Sequence, residues 1–369
     1  MPTYIYEQSD WPHFTFDETI VGERLPAISR GQGRLLGRME ALGFELQQEA
    51  ELQTLTEDVL RSSEIEGEIL DKQQVRSSIA RRLGMDIPGL VKPDHTVEGV
   101  VEMMLDATRN YDQPLTEDRL FGWHAALFPT GRSGMYKITV GGWRTDEKGP
   151  MQVVSQKGRR EIVHFEAPAA DLIPKEMTQF LAWCEASYAG DMNIKAAIAH
   201  LWFVTLHPFD DGNGRTARAI ADMMLARAEG SPHRFYSMSA QIQREHKSYY
   251  EILEATQKGG LDITPWLVWF LDNLEKAIEG AEDITANVLT KARFWSDHAN
   301  RNFNERQTKM LNRLFDGFDG KLTSSKWAKI CKCSQDTATR DINDLIELGI
   351  LYKEPGGGRS TSYALKVDS

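Results

Sequence analysis

Apolar positions recur three and four residues apart over most of the chain, with acids, amides and bases filling the faces between them. From Gly31 the series Leu35, Leu36, Met39 and Leu42 has the period of a helix with one buried face. The same period predicts helices over 100–111, 117–127, 174–188, 194–206, 215–229 and 247–257. Residues 1–35 break it: Trp11, Phe14 and Phe16 stand among turn formers, which predicts an extended aromatic arm packed on the body. Pro88, Gly89 and Pro93 punctuate 84–94 as a boundary. Between 136 and 165 the period changes. Gly141-Gly142, Gly149-Pro150 and Gly158 bracket short runs such as 150–155, which predicts a β-hairpin.

The last segment has its own rhythm. Helices are expected over 305–315 and 324–330, and a third, capped by Ser334, carries Ile342, Leu345, Ile346 and Leu348. A strand near 349–352, a turn at Gly356-Gly357-Gly358-Arg359 and a strand near 362–365 complete an order that resembles a winged helix-turn-helix. On that pattern Gln335, Thr337, Thr339 and Arg340 would face a DNA groove and Arg359 a phosphate.

Composition narrows the class. With 41% hydrophobic and 26% charged residues the chain reads as a soluble globular protein, and no apolar run approaches the ~18–20 residues of a membrane span. The N-terminus has acids and aromatics where a signal peptide needs a basic start and an apolar core. Cys184, Cys331 and Cys333 make no disulfide framework, so the cytoplasm is the expected compartment. A net charge of −11 speaks against a general nucleic-acid coat protein. Residues 304–369 carry 11 Lys and Arg against 9 Asp and Glu, an enrichment that leaves DNA and protein docking both open.

The chemistry is concentrated in His207-Pro208-Phe209-Asp210-Asp211-Gly212-Asn213-Gly214-Arg215-Thr216-Ala217-Arg218. Asp211 is an oxygen donor of the kind Mg²⁺ prefers. Gly212, Asn213 and Gly214 tolerate positive φ, so their amides can turn inward as an anion nest at the start of the helix predicted by Ile220, Met223 and Met224. Arg215 and Arg218, three apart, share a face from which forked donors can grip phosphate oxygens. His207 is the one group there whose ordinary pKa suits proton transfer near neutral pH.

This run is similar to the Fic-family signature HxFx[DE]GNGRxxR, with every defined position present. The resemblance implies a mainly α fold with a helical core at 93–290 and a hairpin flap, to which the periodicity and element order add an N-terminal helical region at 1–92 and a C-terminal winged helix at 300–369. It implies an enzyme that moves AMP from ATP, with Mg²⁺, onto a Tyr, Ser or Thr hydroxyl of a target protein or of itself. His207 would take the hydroxyl proton, Asp211 would hold Mg²⁺, and Gly212, Asn213 and Gly214 would cradle the phosphates. Arg215 would steady the β-phosphate side and Arg218 the γ-phosphate. The flap residues Met151, Gln152, Val153 and Val154 would pair with the target backbone. Tyr249 and Tyr250 could shelf an adenine, although core packing explains such a pair equally well.

Upstream, Ser62-Ser63-Glu64-Ile65-Glu66-Gly67-Glu68 resembles the family's inhibitory motif [ST]xxxE[GN], with Ser62, Glu66 and Gly67 at the defined positions. The resemblance implies that Glu66 pairs with Arg218 and keeps the γ-phosphate off it. At ~4 Å and an effective dielectric near 20 such a pair is attracted by about 4 kcal/mol before desolvation. The alternatives are removal of AMP, another phosphate-group transfer, or a DNA-binding regulator that senses ATP without catalysis. The intact His207 counts against a pure sensor. Gly214 counts against the family's kinase-like branch, which has a lysine there. A homodimer stays open.

Overall fold

The computed structural model describes residues 3–87, 89–147, 149–157, 160–318, 320–355 and 361–366. Pro88, Gly158 and the turn 356–359, with the phosphate contact expected of Arg359, lie outside the described residues. The described residues are mainly helical with three small antiparallel strand pairs, as the periodicity predicts. They form two compact units, residues 1–86 with 90–284, and 87–89 with 285–369.

The first unit opens differently from the expected extended arm. A 3-10 turn covers Ile5–Glu7, followed by helices α1 (Glu18–Gly22) and α2 (Leu25–Glu40). The local cause is capping. Asp17 accepts hydrogen bonds from the Thr19 and Ile20 amides, and Pro26 sits in the first turn of α2. The aromatics do pack on the body: Trp11 and Phe14 meet Trp202 edge-on, at 6.0 and 5.8 Å between ring centroids.

Helices α3 (Phe44–Ile65), α4 (Lys72–Arg82), α5 (His95–Arg109) and α6 (Glu117–Leu127) follow. The break at 84–94 separates α4 from α5, yet both belong to the one compact unit. A two-residue pair, β1 (Arg132–Ser133) with β2 (Tyr136–Lys137), precedes the expected hairpin, β3 (Gln152–Lys157) with β4 (Arg160–Glu166). Then come α7 (Ile173–Glu185), α8 (Met192–Leu206), α9 (Asn213–Glu229), α10 (Met238–Arg244), α11 (His246–Gln257) and the start of α12 (Thr264–Asp297), whose residues from 285 on belong to the second unit.

Helix α8 is the axis of this unit. Every residue from Asn193 to Leu206 is buried, as expected of a helix apolar on all sides and packed all round. Lys195 finds its partners inside: its Nζ donates to the Cys184 and Ala186 carbonyls at 2.7 and 2.8 Å, closing the end of α7. Helix α9 packs along α8, with α3, α5, α6 and α10 against α9. The chain between α8 and α9 is thereby held in the middle of the unit.

The second unit contains α13 (Glu305–Phe315), α14 (Ser324–Cys331), α15 (Gln335–Glu347) and the antiparallel pair β5 (Leu351–Lys353) with β6 (Tyr363–Leu365). Thr323 and Ser334 cap α14 and α15 through the Lys326 and Thr337 amides. Trp327, Met310, Ile342 and Leu345 form its core. The buried Asp341 is gripped by Arg306 at 2.7 and 2.9 Å. On α15, Gln335 and Arg340 are exposed, while Thr337 and Thr339 are half-buried and hydrogen-bonded within their own turn.

Candidate active site

The loop from His207 to Gly212 turns because both of its ends adopt left-handed backbone. His207 ends α8 at φ 47°, and Gly212 caps α9 at φ 79°. A non-glycine residue in that region carries a cost, and here it aims the imidazole. The His207 ring donates from Nδ1 to the Val204 carbonyl at 2.7 Å. A carbonyl only accepts, so the neutral ring carries its proton on Nδ1 and keeps the Nε2 lone pair. Burial pushes the imidazole below its ordinary value, which favours that neutral form.

Asn213 is spent on the loop itself. Its side chain accepts from the Phe209 amide at 2.9 Å and donates to the Phe209 carbonyl at 2.8 Å. The expected cradle therefore takes from Asn213 its backbone amide at the start of α9, and its side chain only shapes the loop. Asp211 accepts from the Gly212 amide at 2.5 Å and hydrogen-bonds the Ser133 hydroxyl. Among the described residues no three His, Cys, Asp or Glu converge on one point.

Helices α3 and α9 run past one another in opposite directions. Glu66 lies over Gly214, Ser62 meets Arg218, and Asp58 reaches Asp222. Arg218, 2% exposed, donates from Nε to the Ser62 hydroxyl at 2.9 Å. Its Nη2 donates to the Ser62 carbonyl at 2.7 Å and to Glu66 Oε1 at 2.8 Å. A Cβ placed on Gly214 would come 2.1 Å from Glu66 Oε1. Burial, and then the neighbouring Asp58, push the Asp222 carboxyl well above the carboxylate range against the pull of Arg234.

The end of α3 accounts for the glycine in the run Ser62–Glu68, which resembles the family's inhibitory motif. The Glu68 amide donates to the Ser63 carbonyl at 3.0 Å and the Gly67 amide to the Glu64 carbonyl at 2.9 Å, with Gly67 at φ 78°. This is a Schellman motif, whose left-handed residue is normally Gly or Asn. Those are the two residues the motif allows after its glutamate.

Two cavities flank the flap. One, of about 560 Å³, is lined by His207, Gly214, Glu66, Tyr250 and the flap residues Val153 and Val154. Its volume is in the range of small-molecule sites. The other, of about 750 Å³, is lined by Met151, Gln152 and Val154 with Ser133, Asp210 and Asp211. Tyr249 also borders the first cavity but is 1% exposed, its hydroxyl hydrogen-bonded to His200 Nε2 at 2.9 Å. Tyr250 presents the more open ring of the two, and its hydroxyl donates to the Ile65 carbonyl at the end of α3, 3.4 Å away.

Known proteins agree with this architecture. A model of the Fic/DOC family matches residues 114–225, the span from the approach to α6 through the loop and most of α9. Residues 114–225 are a Fic domain. A model described only as a domain of unknown function (DUF4172) matches residues 4–85. Proteins named protein adenylyltransferase Fic from Culex quinquefasciatus and Aedes aegypti are each 35% identical over 105 residues, 28% of this chain and 19% of theirs. The chain thus spans about a fifth of the length of the curated relatives it matches. The crystal structure of a Fic family protein from Desulfovibrio desulfuricans superposes over 97% of this chain and 99% of that one, at 22% identity and a TM-score of 0.51. It shares the fold.

Inside the Fic domain, several residues that no motif marks hold the loop. Arg144, 3% exposed, donates from Nε to the His207 carbonyl at 2.8 Å, from Nη1 to Asp146 at 2.9 Å and from Nη2 to the Pro168 carbonyl. Its amide donates to the Pro208 carbonyl at 3.0 Å. His124 stacks on Phe209 at 4.1 Å and hydrogen-bonds the Asp211 carbonyl at 3.2 Å; burial lowers its pKa to about 4. The flap is tied down by His164, whose Nδ1 meets Glu254 at 2.8 Å and whose Nε2 meets Ser155 at 2.6 Å.

Proposed function

We propose that the chain is a protein adenylyltransferase held off by its own α3. The observation that carries this reading is the fixed tautomer of His207. Its Nδ1–H is committed to Val204 and it lines one cavity with Gly214, Tyr250 and the flap. ATP would lie in that cavity with its phosphates on the amides of Gly212, Asn213 and Gly214. Arg215 would sit beside the β-phosphate and Arg218 beside the γ-phosphate.

The flap would present the acceptor from the other side, by strand pairing through β3. The acceptor hydroxyl oxygen forms a bond to the α-phosphorus, the bond from α-phosphorus to the bridging oxygen of the β-phosphate breaks, and pyrophosphate leaves. The hydroxyl proton passes to His207 Nε2, where the Val204 bond has left the lone pair. The donor set at Asp211, a carboxylate beside the Ser133 hydroxyl, is oxygen only and suits Mg²⁺, which Asp211 would hold. An ion held there would supply positive charge against the charge that builds on the phosphates. Positioning and charge stabilisation then supply most of the rate.

Glu66 supports the resting state. It occupies the Arg218 nitrogen that a γ-phosphate needs and covers Gly214, so ATP lies in an unproductive pose until the end of α3 moves. Incubating Glu66→Gly protein with α-labelled ATP and Mg²⁺ tests the reading: label should appear on protein, and no label in any variant would overturn it.

A further inference from the structure

We propose that Glu68 is a second latch, set on the other phosphate arginine, and that it determines how strongly nucleotides carrying a β-phosphate bind. The proposal rests on the phosphate roles given to Arg215 and Arg218 above. Arg215 Nη1 meets Glu68 Oε2 at 2.5 Å, and the Arg215 side chain is 6% exposed. Its guanidinium otherwise lies over the Phe128 ring, 5.2 Å from the centroid. Its Nε finds no hydrogen-bond partner among the described residues. Glu68 is the one carboxylate paired with it among them.

The Schellman motif makes both latches part of one device. Arg215 and Arg218 stand three residues apart on one face of α9. Glu66 is the last residue before the left-handed Gly67 and Glu68 the first after it. The turn at Gly67 therefore directs two carboxylates, spaced two residues apart, onto two guanidiniums spaced three apart. The amide bonds to Ser63 and Glu64 fix the turn, so the carboxylates are delivered together. The two pairs have the same asymmetry. Each arginine is buried, while the Glu66 and Glu68 side chains are 32% and 36% exposed. A phosphate entering the site can displace such carboxylates into water, while the arginines stay in place.

The consequence is discrimination by phosphate number. A γ-phosphate must displace Glu66, a β-phosphate must displace Glu68, and AMP displaces neither at those positions. Neutralising Glu68 should therefore tighten ADP binding and leave AMP unchanged, while Glu66→Gly should favour ATP most.

The test is calorimetric titration of the whole chain with AMP, ADP and ATP, using wild type, Glu68→Gln, Glu66→Gly and the double variant. Glu68→Ala serves as a second substitution, and thermal melts confirm folding. In Glu68→Gln and Glu68→Ala, ADP affinity is expected to rise about tenfold, the scale of one charged hydrogen bond, with AMP affinity unchanged. The double variant should transfer AMP faster than Glu66→Gly alone. Unchanged ADP affinity in both Glu68 variants, or an equal gain for AMP, would overturn the latch. The binding arm separates the two readings. Tighter ADP binding without AMP transfer in any variant keeps the latch and removes the transferase; AMP transfer by Glu66→Gly with ADP affinity unmoved at Glu68 does the reverse.

Discussion

Glu66 Oε1 lies 2.8 Å from Arg218 Nη2 and directly over Gly214, so one carboxylate covers both an arginine and a glycine of the loop that opens α9. The pair is made across two helices rather than within one. Ser62 completes it by taking two more bonds from the same guanidinium.

The pair should act as a brake whose release can be measured. Glu66→Gly removes a hydrogen bond to a charged group, worth about 1.5–3 kcal/mol, which corresponds to roughly ten- to hundredfold in rate. Initial rates of AMP incorporation should rise by that factor, and a thermal melt should show the variant still folded, because Ser62 still holds Arg218. A rate equal to wild type would remove the brake from the picture.

Arg144 should matter to stability as well as to rate. Arg144→Ala strips donors from the His207 and Pro168 carbonyls and unpairs Asp146, and buried acceptors without partners are expensive. A loss of about 3 kcal/mol or more is expected in urea unfolding. An unfolding curve coincident with wild type would contradict the clamp.

His200 should make the first unit sensitive to acid. It is fully buried, and burial, with Arg218 adding to it, lowers its pKa to about 3. A histidine whose folded pKa is depressed contributes stability that is present above its unfolded value near 6.5. That stability is lost as pH falls from there toward 3. At about pH 5 the loss is about 2 kcal/mol from this residue. Glu and Asp titrations add their own slopes, so the comparison is with His200→Gln. Wild type should lose more stability than the variant between about pH 7 and pH 5. Parallel curves would refute the assignment.

Much of this was legible in the chain. Apolar spacing marks α6, α8, α9 and α11 to within about two residues, and Ser334 marks the start of α15. The loop's chemistry is local in sequence, so His207 through Arg218 can be read as a unit. Contacts made across the fold cannot. Arg144 and His124 lie far from the loop in sequence and have no spacing that ties them to it. The aromatic start looked extended because its cap, Asp17, sits in a stretch too short for helical periodicity to declare itself. Glu68 was visible beside Glu66, but only the left-handed turn at Gly67 reveals that it faces Arg215.

The central claim is that this site transfers AMP through His207 once Glu66 is removed. The most direct measurement is mass spectrometry of peptides after Glu66→Gly protein, ATP and Mg²⁺ are incubated with a cell extract, beside a Glu66→Gly, His207→Ala double variant. Peptides carrying an added AMP should appear with the first protein and vanish with the second. AMP-bearing peptides at equal levels in both, or in neither, would refute it.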